Sequence, residues 1–250
     1  CTQSQGAEAI SLQAQPFALK DVRLLDGPFK HATDLNREYL LKLEPDRLLA
    51  WFRKEAGLKP KAPVYGGWED RGVAGHCGGH YLSACALMYQ STHDERLRER
   101  VNYMVDELAL CQQAHGNGYV AAIPRGKEIF QEVAQGDIRS KGFDLNGGWV
   151  PLYTLHKLFA GLGDAYELCG NTKALDVEKS LADWLGRTLT KLDHDQMQAI
   201  LRCEHGGMNE ALADLYAYTG EPRYLALSRR FHHESVLQPL AQRRDNVNGL

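Results

Sequence analysis

The chain has 250 residues, 44% of them hydrophobic and 24% charged, with a formal net charge of -3 and the two signs interleaved. That supplies a sizeable core, and the near-neutral balance argues against a nucleic-acid or anionic-membrane partner. No run approaches the ~18 apolar residues of a membrane span, since Leu152 to Leu168, the most apolar stretch, is interrupted by His156, Lys157 and Asp164.

Cys1 is followed by Thr2, Gln3, Ser4, Gln5 and Gly6 before any apolar pattern. A mature bacterial lipoprotein begins this way; the other reading is an arbitrary boundary that falls on a cysteine. The lipoprotein reading makes residues 1–14 a polar tether and Cys1 a lipid anchor. It places the protein outside the cytoplasm, in the periplasm or on the outer membrane. Phe17, Leu19, Val22 and Leu24, followed by Asp26-Gly27-Pro28, predict a short extended segment ending in a turn. Leu35, Tyr39, Leu40 and Leu43 then recur at helical spacing until Pro45 ends or kinks the run.

From Glu55 to Gly79 the density of glycine and proline predicts a long loop, which carries Trp68, Glu69, Asp70 and His76 up to His80. Three similar units follow. In each, a helix apolar nearly all round meets a turn and then an amphipathic helix: Tyr81 to Tyr89 before Leu97 to Cys111, Leu152 to Leu168 before Val177 to Leu192, and Met208 to Tyr218 before Tyr224 to Phe231. A helix buried on both sides must be apolar on both, whereas an outer helix faces water. The chain is therefore expected to be all-α after about residue 30. Its expected form is the N-terminal portion of an (α/α)6-barrel, a toroid with an inner and an outer ring.

The segments entering the inner helices carry unusual side chains for connectors: Trp68, Glu69, His76 and His80; Asp144 to Trp149 leading to His156; and Glu204, His205 and Glu210 around Gly206-Gly207. Aromatic faces suit the C–H side of a sugar, and carboxylates and imidazoles suit its hydroxyls. Each has a plainer reading. Trp68 and Trp149 are also plausible core anchors, and His156 a satisfied core histidine. His76 and His80, spaced i, i+4, are open to a pocket role, a packing or capping role, or metal ligation, although the zincin glutamate is missing between them. Cys85, Cys111 and Cys169 fall on apolar helix faces and read as core, whereas Cys77 and Cys203 lie in polar, glycine-flanked segments that could line a pocket. No pair of cysteines has ligand spacing, so no high-affinity zinc site is expected among these residues.

Several ordered blocks carry a family resemblance. Tyr65-Gly-Gly-Trp68-Glu69, Gly75-His76 with Gly79-His80-Tyr81-Leu82-Ser83-Ala84, His115-Gly-Asn-Gly-Tyr119, Asp144-Leu-Asn-Gly-Gly-Trp149 with Leu155-His156-Lys157, and Gly206-Gly-Met-Asn-Glu210 resemble the N-terminal half of glycoside hydrolase families 127 and 146. The resemblance covers residues 15–250. It implies an (α/α)6-barrel acting on β-L-arabinofuranosyl groups of plant-type glycans by a retaining mechanism, with arabinose-containing oligosaccharides as partners. It also implies a zinc-bound cysteine nucleophile and a glutamate acid/base. The zinc ligands it implies, a glutamate and further cysteines, have no match here, so the catalytic groups are expected beyond Leu250, in the rest of the polypeptide. His205 falls where the family places a sugar-binding histidine. Trp68, Glu69, His76, His80, His156, Glu204 and Glu210 are further pocket candidates. On this reading the chain alone is inactive. The competing readings are a non-catalytic helical-repeat carbohydrate-binding or scaffold protein and another toroidal sugar enzyme, a lyase or epimerase.

Overall fold

The computed structural model describes residue 14 and residues 16–245. The tether and Cys1 otherwise lie outside the described residues. The expected extended segment is broken by a 3-10 turn at Leu19–Asp21, closed by Asp21 and Val22 N–H groups on the Ala18 and Leu19 carbonyls. Helix α1 (Pro28–Lys42) starts on a proline, whose fixed φ and missing N–H suit a first helical position. Pro45 likewise opens α2 (Pro45–Leu48), and α3 (Ala50–Glu55) follows.

Next come α4 (His76–Thr92), α5 (Glu95–His115) and α6 (Gly126–Ala134), then three two-residue strands, β1 (Ser140–Lys141), β2 (Asp144–Leu145) and β3 (Gly148–Trp149). They are followed by α7 (Pro151–Cys169), α8 (Thr172–Leu189), α9 (His194–Ile200), α10 (Met208–Thr219), α11 (Pro222–Arg229) and α12 (Glu234–Ala241). The turns inside the hairpins follow capping chemistry. Gly170 and Gly220 end α7 and α10 in the left-handed region, while Asp94 and Asn171 accept the Arg96 and Ala174 N–H groups at the starts of α5 and α8. Helix α7 packs between α4 and α10, and α5, α8 and α11 back these three, with α5 against α8. The architecture is an all-α arc of a toroid, with α4, α7 and α10 as the inner row. No helix among the described residues is long and apolar enough to cross a membrane.

Two expectations need correction. The breaker-rich loop does not run through Gly79, because α4 already starts at His76. Its glycines serve packing: a Cβ on Gly79 would sit 2.2 Å from the Lys157 carbonyl oxygen, and one on Gly161 would sit 2.6 Å from the Gly79 oxygen. Two backbones meet there, and only hydrogen fits between them. The stretch after residue 30 is also not wholly helical. Strands β1–β3 form an antiparallel meander, and Asn146-Gly147, with φ of 54° and 80°, turn β2 into β3. Both positive φ values match the two-residue turn that suits strand twist. Asn146 is buried and fixes the turn, accepting the Arg139 N–H and donating to Glu132 and the Asp137 carbonyl.

Candidate sugar site at the inner-helix entrances

The loop before α4 is anchored by Tyr65, whose hydroxyl accepts the Glu44 N–H at 2.9 Å and whose ring lies 3.9 Å from the Arg47 guanidinium. A 3-10 turn, Gly67–Asp70, then points neighbouring side chains in opposite directions: Trp68 is 64% exposed and Glu69 only 4%. The Glu69 carboxylate accepts the Gly75 and Cys77 N–H groups at 2.9 and 3.0 Å, an anion on the unsatisfied donors of the α4 N-terminus. His76 Nδ1 lies 2.9 Å from Glu69 Oε1 and 2.6 Å from the Val73 carbonyl, and its Nε2 lies 3.4 Å from Cys77 Sγ. Burial works against its charge, but the Cys77, Glu69 and Val73 contacts together outweigh that and raise its pKa to about 10. Burial likewise opposes the Glu69 charge, yet His76 and the two backbone donors leave its pKa below the usual range.

Trp149 closes the same rim. It ends the meander, edge-on to Trp68 at 6.1 Å between centroids, and Val150 then enters α7 through φ 40°. A β-branched residue in that region is strained, by about 1–3 kcal/mol. The bend sets Trp149 at the mouth rather than in the core. Both tryptophans are exposed, which decides against the core-anchor reading.

Further round the arc the entrances carry imidazoles. His76 and His80 stack edge-on at 6.1 Å, and His205 and His233 do so at 5.4 Å. His156 stands between the pairs, close enough to feel the charges of both His80 and His205. Gly206-Gly207 lies on its ring, where Cβ atoms would come 2.5 Å from Nδ1 and 2.9 Å from Nε2. Its Nδ1 is buried with no partner among the described residues, so His156 is not a satisfied core histidine. Burial pushes its pKa down to about 4 and also lowers those of His80 and His233. These three rings are neutral near pH 7, each offering one donor and one acceptor. His205 Nδ1 lies 3.1 Å from the Cys203 carbonyl, which can only accept, so Nδ1 carries a proton and donates it there.

Glu204 is exposed, and its carboxylate accepts the Gly206 N–H at 3.0 Å, closing the turn that presents His205. Glu210 lines a cavity of about 230 Å³ with His156, Asp164, Glu178, Asp214 and Tyr218, between α7, α8 and α10. Glu178 is 1% exposed, and its Oε2 has no hydrogen-bond partner among the described residues. Burial, then the Asp214 and Asp164 charges, raise its pKa well above the usual carboxylate range. A raised folded-state pKa means that the folded chain holds the proton that the unfolded chain releases above about pH 4.3. Stability contributed there falls as pH rises through the raised pKa. Glu178→Gln is therefore expected to match the parent near pH 4 and to exceed it at pH 8, by about 1–3 kcal/mol, the scale of one buried unsatisfied polar group. Urea unfolding at both pH values checks this.

Sequence reasoning treated the His115 block as part of the resemblance, but the structure makes it a packing motif. His115 stacks on Tyr119 at 5.0 Å, and a Cβ on Gly118 would sit 2.6 Å from the Ser180 oxygen. It missed Tyr153, 6.3 Å from the His76 ring, and His233, although His232-His233 before α12 repeats the polar entry seen at the other helices. Cys203 is not a pocket residue: it is buried, and its thiol is pushed up to about 12 by burial. Cys169, read as core, is only half-buried. The implied zinc site does not fit the described cysteines. Burial holds Cys85, Cys111 and Cys203 protonated with pKa values of about 12 and Cys169 with about 11, and none of them joins a cluster of metal donors. The donor cluster present is Glu69, His76 and Cys77, whose ligand atoms lie within 4.8 Å of one another.

Helical hairpins with tryptophans, imidazoles and carboxylates at the inner-helix entrances define a portion of an (α/α) toroid with a polar, aromatic mouth. The family description "Beta-L-arabinofuranosidase, GH127 catalytic domain" matches residues 21–250, and the chain belongs to that family of glycoside hydrolases. No curated protein matches the chain. Among solved structures, a family 127 β-L-arabinofuranosidase from Geobacillus stearothermophilus T6 is similar in fold, with a TM-score of 0.57 and 19% identity. That likeness covers 91% of this chain and 36% of the other.

Proposed function

We propose that the chain supplies part of the glycone pocket of a retaining β-L-arabinofuranosidase acting on arabinose-containing, plant-type glycans. The observation that carries this reading is the run of neutral imidazoles, His80, His156 and His233, beside the exposed Trp68 and Trp149. An uncharged sugar is better served by donor–acceptor rings than by ions, whose desolvation it could not offset. Tryptophan faces supply the apolar half of recognition. His205 contacts a sugar hydroxyl through Nε2. The thiolate, its zinc and the acid/base glutamate come from residues outside these 250.

In a polypeptide carrying the complete toroid, His205→Ala is expected to lower kcat/KM on an aryl β-L-arabinofuranoside by about 1–3 kcal/mol, roughly 5- to 150-fold. Steady-state kinetics check this. Unchanged kinetics would remove His205 from the site and leave the chain a toroid segment without a recognised sugar.

A further inference from the structure

At the α4 N-terminus a carboxylate, an imidazole and a thiol converge where helix capping requires only the carboxylate. Glu69 by itself satisfies the Gly75 and Cys77 N–H groups. His76 Nε2 is turned to Cys77 Sγ at 3.4 Å, a hydrogen bond that the cap does not require, although side chains on successive helical residues normally diverge. Two ligands of one tetrahedral zinc, with Zn–S of about 2.3 Å and Zn–N of about 2.05 Å, stand about 3.6 Å apart. The observed separation is close to that value.

We propose that Glu69, His76 and Cys77 bind a divalent cation of the zinc class, independently of any sugar. Cys77 Sγ and His76 Nε2 are direct donors. His76 Nδ1 keeps its proton and donates it to the Val73 carbonyl, 2.6 Å away, which fixes the ring; a Glu69 oxygen, while still capping the α4 N-terminus, is the third donor. One ligand atom from each of the three residues, a ring nitrogen in the case of His76, already lies within 4.8 Å of the other two, so an ion draws the set in by about 1 Å. An oxygen, nitrogen and sulfur set favours zinc over magnesium or calcium, which take oxygen alone. Cys77 is only half-buried, which gives the ion an entry path, and binding releases two protons to solvent, one from the Cys77 thiol and one from His76 Nε2. The proposal departs from the expectation drawn from cysteine spacing, because its donors come from a helix start and a separate 3-10 turn.

The test is cobalt(II) titration of the 250-residue chain followed by zinc displacement, read as the thiolate-to-cobalt charge-transfer absorption. The expected result is a band that saturates near one equivalent and vanishes on zinc addition. Cys77→Ser abolishes it, Glu69→Gln weakens binding about 10- to 100-fold, and Cys203→Ser leaves it intact. Circular dichroism confirms that Cys77→Ser, a near-isosteric change, remains folded. Absence of the band in the parent chain, or an equal band in Cys77→Ser, overturns the proposal.

Discussion

Gly79→Val is expected to unfold the chain or to cost more than about 4 kcal/mol, well beyond an ordinary surface substitution. A Cβ there would lie 2.2 Å from the Lys157 carbonyl oxygen and 2.8 Å from the Leu158 nitrogen. Those atoms are helix backbone, so no rotamer change relieves the overlap, and α4 and α7 must separate along the seam that holds the inner row together. Gly66→Ala is the matched control, because nothing lies within 4 Å of its added methyl group. Thermal or urea unfolding of both variants decides the matter. A Gly79→Val chain within about 1 kcal/mol of the parent would show that the helix contact is not close-packed.

The second large effect is on chemistry. The 250-residue chain is expected to show no turnover of an aryl β-L-arabinofuranoside, although it carries the imidazoles proposed to meet the sugar. Two carboxylates near its mouth are already engaged: Glu69 holds the α4 N-terminus, and Glu204 closes the turn before His205. Cys85, Cys111 and Cys203 are protonated in the core, because burial raises their pKa values to about 12. A protonated thiol is a poor nucleophile. Release of the aryl leaving group, followed by absorbance, is the measurement. Robust turnover would refute the division of labour and make Cys77, half-buried beside His76, the first residue to replace.

What could be read from the sequence was what periodicity reports. Leu97, Val101, Met104, Val105, Leu108 and Cys111 share one face of α5, and all are buried. Likewise the nearly all-apolar α7 is buried between its neighbours. Glycine misled, because Gly78 and Gly79 normally break a helix, but here Gly78 packs on the Phe52 ring and Gly79 allows α4 and α7 to touch. The β2–β3 hairpin was hidden for another reason: its strands are two residues long, too short for alternation to register, and only Asn146-Gly147 marked it. Within the site, the imidazoles and tryptophans stood out by chemical type at helix entrances. The partners that tune them did not. That Glu69 reaches over His76 and Cys77 depends on how the short loop between them folds back, and that Gly206-Gly207 lies on His156 depends on how elements distant in sequence pack.

The central claim is that the arc of histidines binds a β-L-arabinofuranosyl group. Its most direct test is NMR of the histidine side chains during titration with methyl β-L-arabinofuranoside. The account expects the His156 and His205 imidazole resonances to shift in a saturable way, with the exposed His31 and His194 unmoved. A titration that reaches high sugar concentration and moves neither His156 nor His205, or moves His31 and His194 equally, would contradict it.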